Sequence, residues 1–326
     1  MTITLVGSVG DGGDNHRDDV ATVQALLDGV ANADGGPDPR LVVDGLNGSK
    51  TIGAISDFQS QHGLTSTGKI EPADATFSQL INDSRYVADA IIGSSVGDNA
   101  PGGNDPEDVA VVQALLNAVP TAQGGPSVRL VVDGLIGTKT IDAITGFQQA
   151  QGQGAASGRI DPGDATLAGL NATAQLTLTA HMALRILETA RITLATSHIS
   201  GENDKATVRQ NIFDTADGQA AARSAYGTAP GGTVRLEAPV LNLLLVIEES
   251  HSCSINELAG GSHSSNSRHY LGVALDVGDV DGSGVSATNP EVSPVMQLCH
   301  DLGCTELLGP GDRGHDNHIH AALPRP

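Results

Sequence analysis

The sequence predicts a multidomain protein: two all-α three-helix repeats followed by an α+β domain with a small antiparallel sheet. Three observations predict it. A block of sequence returns nearly unchanged 89 residues later. The returning pattern stops near residue 175. The remainder replaces helical spacing with short alternating stretches and concentrates histidine. A length of 326 residues suits two or three domains.

The duplication is read first, because a missed repeat misplaces every later boundary. Asp19–Leu27 returns as Asp108–Leu116, and Arg40–Gln59 returns as Arg129–Gln148 with 15 of 20 residues identical. One residue is then inserted, so Asp74-Ala75-Thr76 matches Asp164-Ala165-Thr166. The predicted units are residues 1–86, 87–174 and 175–326.

In the first unit, Val20, Val23, Leu26, Leu27 and Val30 share one helix face, with Asp18 or Asp19 as N-cap. Asp44-Gly45-Leu46-Asn47-Gly48 makes a tight turn. Ser49 or Thr51 then caps a second helix with Ile52, Ile55 and Phe58 inward. Thr67-Gly68 turns the chain again, and Asp74 opens a third helix carrying Phe77 and Leu80. The second unit repeats this through Asp133-Gly134, Phe147 and Leu170.

The third unit holds seven of the 11 histidines between His251 and His320. From Val273 the residues alternate, which predicts a strand with Val273, Leu275 and Val277 toward the core and Ala274 and Asp276 opposite. Gly272 permits the bend that brings His269 to the same place. His318-Ile319-His320 on a strand puts both imidazoles on one face. His269, Asp276 and one histidine of that pair make three ligands for a borderline ion such as Zn²⁺, with a fourth position open, as catalytic zinc requires.

Composition narrows the partners. Lys+Arg number 17 against 38 Asp+Glu, a net charge of −21, and neither the repeat half nor the remainder is basic. That excludes the footprint of a nucleic-acid binder. No apolar run approaches the ~20 residues of a membrane span. The start, Met1 to Gly7, has no basic n-region or long apolar stretch, so no signal peptide is visible. Cys253, Cys299 and Cys304 are too few for a disulfide framework.

Two resemblances follow from the quoted residues. Val23-Gln24, Asp44-Gly45…Gly48…Thr51, Phe58-Gln59 and Thr67-Gly68, with the same set again from Val112-Gln113, resemble the three-helix peptidoglycan-binding domain of cell-wall hydrolases. This implies peptidoglycan as the partner. Ser267, His269, Gly272, Ala274 and Asp276, with His318 and His320 later, resemble the zinc D-Ala-D-Ala metallopeptidases. That resemblance assigns Zn²⁺ to His269, Asp276 and His320, and leaves His318 beside the metal. It implies hydrolysis of stem-peptide amide bonds, either as a carboxypeptidase or as an endopeptidase. The implied location is extracellular or in the cell wall.

Some relatives place a glutamate base three residues before the last ligand. Asn317 stands there, which leaves His318, then His315, then Asp316 as catalytic candidates. Ser267, Arg268 and Arg313 are the candidates for holding substrate, the arginines through a C-terminal carboxylate. The missing glutamate keeps a non-catalytic, zinc-containing wall-binding protein as the alternative. His251 and His263 read as loop histidines, and His300 as a cation suited to a helix C-terminus. His16, His62, His181 and His198 read as isolated and exposed. Glu257 reads as lying on a strand before Gly260-Gly261, with a role in the site as the alternative, and Asp279–Gly284 as a turn.

Overall fold

The computed structural model describes residues 3–100, 102–154 and 156–325. Met1 and Thr2, which open the stretch read for a leader, lie outside them.

The first stretch forms β1 (Val9–Gly10), α1 (Arg17–Asp28), α2 (Ser49–Gln61), β2 (Lys69–Ile70) and α3 (Ala75–Asp83). The second has the same order: β3 (Val96–Gly97), α4 (Pro106–Ala118), α5 (Thr138–Ala150), β4 (Arg159–Ile160) and α6 (Ala165–Thr173). In each, the two short strands pair antiparallel. Phe58 and Phe147 are fully buried.

Buried glutamines hold the turns together. Gln24 Oε1 accepts the Asp44 and Gly45 N–H groups at 3.1 and 2.9 Å, and its Nε2 donates to Asp44 Oδ1, Leu46 O and Thr51 Oγ1. Gln113 makes the same five bonds to Asp133, Gly134, Leu135 and Thr140. Gln59 and Gln148 do likewise for the next turn, accepting from Gly68 and Gly158 and donating to the Lys69 and Arg159 carbonyls.

Two expected caps are corrected. α1 starts after His16, and Asp19 instead turns back to accept from the Val6 and Gly7 N–H groups. α2 starts after Gly48 without a side-chain cap, because the Thr51 hydroxyl is buried against Gln24. Asp74 does cap α3, accepting from Phe77 N at 2.7 Å.

The rest of the chain forms α7 (Leu178–Glu188), β5 (Ile192–Leu194), α8 (Val208–Ala216), β6 (Ala221–Ala222), β7 (Thr233–Val234), α9 (Ala238–Ser250), β8 (Cys253–Glu257), β9 (Ala274–Val280), β10 (Ser283–Gly284), α10 (Val292–Asp301), β11 (Glu306–Leu308) and β12 (Ile319–Ala322). Six of these strands build one sheet in the order β11-β12-β9-β8-β5, with β10 beside β9, and β6 and β7 pair separately. The expected sheet was wholly antiparallel. Here β5 runs parallel to β8, because the helices α8 and α9 supply the long crossover that a parallel pair needs. The strand expected from Val273 begins at Ala274, and both of its faces are largely buried.

The two helical units are docked on the third through matching residues. Arg40 binds the Asp28 carbonyl and Glu249, at 2.7 and 2.8 Å to the two carboxylate oxygens. Arg129, 89 positions later, binds the Asn117 carbonyl and Asp217, the latter at 2.7 Å. The Tyr86 hydroxyl donates to Asn242 on α9 at 2.9 Å, and Asn242 donates to Asp28 at 3.1 Å. The apolar core is continuous from Ile3 to Leu323. Among the described residues no helix is long and apolar enough to cross a membrane.

Candidate metal centre

β9 and β12 are paired so that Asp276 and His320 face each other in register. His269 arrives from outside the sheet, on a single 3₁₀ turn from His269 to Leu271. Gly272 ends that turn at φ +71°, and a Cβ there would collide with the Arg235 carbonyl. Only glycine combines that dihedral with that clearance.

Three donor atoms converge. His320 Nδ1 lies 2.9 Å from Asp276 Oδ1, His269 Nε2 lies 3.2 Å from the same oxygen, and the two nitrogens are 3.2 Å apart. All three residues are buried. A tetrahedral ion with bonds of about 2.1 Å has edges of about 3.4 Å, so this triangle is close to one face of such a site. The other ring nitrogen of His269 has a hydrogen-bond partner of the kind that fixes a ligand's tautomer, whereas that of His320 has a carboxylate nearby without a hydrogen bond. His269 Nδ1 is 2.6 Å from Leu258 O; a carbonyl only accepts, so Nδ1 carries the proton and Nε2 has its lone pair free when the ring is neutral. His320 Nε2 lies 3.3 Å from Glu306 Oε1. Two imidazoles and one carboxylate in this arrangement fit a borderline divalent cation.

The electrostatics agree. Burial alone would raise the Asp276 carboxyl, but His269 and the hydrogen bonds from both histidines outweigh it and hold it well below the usual range. Burial would lower His269, but Asp276 outweighs that and raises it. His263 stacks on His269, with ring centroids 4.0 Å apart and planes 12° from parallel. His263, His269 and Asp276 also offer donor atoms within 4.8 Å of one another. The His269–Asp276–His320 triangle is the tighter set. Burial pushes His263 down to about 4, which keeps it neutral.

His318 is half-buried just ahead of β12. Burial lowers its pKa, and its Nδ1 lies 3.0 Å from Asn317 Oδ1. His315 is 4.8 Å from the His318 ring and 6.0 Å from that of His320, by centroids. Asp316 is exposed and accepts from Gly311 N at 3.3 Å.

The substrate candidates are placed differently. The Arg268 guanidinium holds Thr305 Oγ1 at 2.6 Å, Leu323 O at 2.8 Å and Glu306 at 3.3 Å, so its donors serve the fold. The Ser267 hydroxyl lies 3.3 Å from the His269 N–H. Arg313 is exposed.

Two residues near the centre escaped the sequence reading. Glu306 carried no motif; it bridges His320 and Arg268. His198, read as exposed, is 4% exposed and sits between Glu257 and Asp204. His181 is also mostly enclosed, and burial lowers it to about 4. A second group, His251, Asp281 and Glu291, offers donor atoms within 4.8 Å of one another at the surface. The three cysteines are buried free thiols.

Comparison with known proteins gives two similarities. The putative peptidoglycan-binding domain family matches residues 16–73. A zinc D-Ala-D-Ala carboxypeptidase of Streptomyces albus G is 29% identical over 198 residues, which is 61% of this chain and 66% of that protein. The match thus spans less than two thirds of that protein's length.

Proposed function

We propose that this chain is a zinc-dependent peptidoglycan peptidase, held to the wall by two helical binding units and acting in the cell wall or outside the cell. The observation that carries the reading is the convergence of His269 Nε2, Asp276 Oδ1 and His320 Nδ1 within 3.2 Å of one another. These three would hold the ion. When bound, zinc supplies Lewis-acid polarisation of a substrate carbonyl and makes water acidic enough to attack near neutral pH.

The chain's own residues do the rest. Leu258 O orients the His269 ring, and the Glu306 carboxylate lies 3.3 Å from His320 Nε2. His318 stands one residue ahead of β12, half-buried beside His315, where it can hydrogen-bond a reacting oxygen, rather than on the strand itself as its spacing predicted; His315 and Asp316 follow it in order of preference. Residues 1–86 are the first wall-binding unit, supported by the family match over residues 16–73. Residues 87–174 are the second, supported by the shared element order and the matching Gln24 and Gln113 networks. Two weak sites on one chain raise its effective concentration at an insoluble polymer.

The test is mass spectrometry of muropeptides after digestion of purified peptidoglycan, with and without chelator. Loss of a terminal alanine means carboxypeptidase activity, and cut cross-links mean endopeptidase activity. Full activity in the His320→Ala variant would end the reading. The second reading, a non-catalytic zinc-containing wall-binding protein, is favoured by one observation: Asn317, exposed and with Oδ1 turned to His318, stands where an acid would serve as base. It predicts bound zinc with no cleavage.

A further inference from the structure

Behind the metal triangle lies a polar chain that no proposed ligand belongs to. His198, in the loop between β5 and α8, has Nδ1 2.9 Å from Glu257 Oε1 and Nε2 2.8 Å from Asp204 Oδ1. Its side chain is 1% exposed. An imidazole held at both ring nitrogens by carboxylates has no rotational freedom left.

This chain ends on one short segment, residues 257–263, which Asn211 and Ser224 also hold. Glu257 is its first residue and pairs across the sheet with Asp276. Ala259 N donates to Asn211 Oδ1 at 2.9 Å, and Gly261 N donates to Ser224 Oγ at 3.0 Å. Gly260 lies so close to the His198 loop that a Cβ would collide with the Ala206 carbonyl and lie 2.8 Å from His198 Cε1.

The segment in turn sets the His269 ring in two ways. Leu258 O accepts the hydrogen bond of its Nδ1–H at 2.6 Å, and His263 stacks on it with ring centroids 4.0 Å apart. Both contacts come from within six residues of Glu257. A shift of Glu257 therefore moves the acceptor and the stacking partner together.

We propose that Asp204, His198 and Glu257 are positioning residues that, through the 257–263 segment, hold the plane and tautomer of His269 toward a divalent transition cation. This rests on reading the triangle as a metal centre. The role differs from that of Glu306, whose carboxylate lies beside His320 itself. Outer partners of this kind typically change metal affinity 10–100-fold when removed.

The test uses the full chain carrying His198→Gln or Glu257→Gln, with Asp204→Asn as the milder variant should either fail to fold. Zinc affinity is measured by competition with a chromophoric chelator, well below the unfolding temperature of each variant. Amide hydrogen exchange over residues 258–271 is followed in the metal-free protein. The expected result is faster exchange in that segment together with at least tenfold weaker zinc binding. Unchanged exchange in the variants overturns the proposal. So does faster exchange with zinc affinity at the wild-type level, the signature of a merely structural contact. A wild-type chain that takes up no zinc overturns the metal reading itself, and does so before any variant is compared.

Discussion

His269 Nε2 and His320 Nδ1 face each other at 3.2 Å across the Asp276 carboxylate, although 51 residues separate them in the chain. Two ring nitrogens aimed at one point cannot both carry hydrogens comfortably, whereas a cation satisfies both lone pairs at once. His320→Ala or Asp276→Asn should therefore take bound zinc from one per chain to none, with the circular dichroism spectrum unchanged. Elemental analysis after dialysis decides it; zinc retained in both variants sinks the three-ligand assignment.

Glu306 stands 3.3 Å from His320 Nε2 and 3.3 Å from Arg268 Nε. Glu306→Gln keeps the shape and removes the charge behind the ligand. Zinc affinity should fall about 10–100-fold while the ligand count stays the same. A chelator titration with wild-type affinity would show that Glu306 has no part in orienting the ring.

Asp28 lies under the docked face of the first unit, and burial pushes its carboxyl up to about 6 despite the bonds from Leu41 and Asn242. Its folded pKa exceeds the unfolded value of 3.8. The folded state therefore holds the proton more tightly, and stability falls as pH rises from about 4 through about 6, by roughly 3 kcal/mol at most. The matching residue in the second unit is Asn117. Asp28→Asn should flatten that part of the curve, as read from thermal unfolding at a series of pH values. An unchanged slope would assign it to another group.

Gln24→Leu and Gln113→Leu should each destabilise the protein. Gln24→Leu leaves the Gly45 N–H without an acceptor, since the Asp44 N–H also bonds Val42 O, and Gln113→Leu removes the acceptor of the Asp133 and Gly134 N–H groups. A buried unsatisfied group costs about 1–3 kcal/mol. Urea unfolding monitored by circular dichroism gives the comparison, and a neutral result in either unit would mean the turn is held by other contacts.

Local and periodic features were legible in the sequence. The offset of 89 exposed the matching element order, and the Gly272 bend and the His-x-His spacing follow from residues close together in the chain. Features made by distant partners were not. His198 looks isolated because its partner Glu257 lies 59 residues away. Arg268 looked available for substrate because its hold on Leu323 O spans 55 residues. Gln24 and Gln113 were visible as motif letters, but a glutamine in a helix pattern gives no sign that its amide will be buried in a turn. The parallel β5–β8 pair was hidden because three-residue β5 is too short to show alternation.

The paired grip of Arg40 on Glu249 and of Arg129 on Asp217 bolts both helical units to the same body. A chain built this way works as a caliper rather than as a tethered hook: the separation between its two jaws is set by the fold, not by a linker's reach. On the proposed reading, in which both units bind the wall, a lattice with attachment points at that spacing would engage both jaws, and a looser or denser one only one.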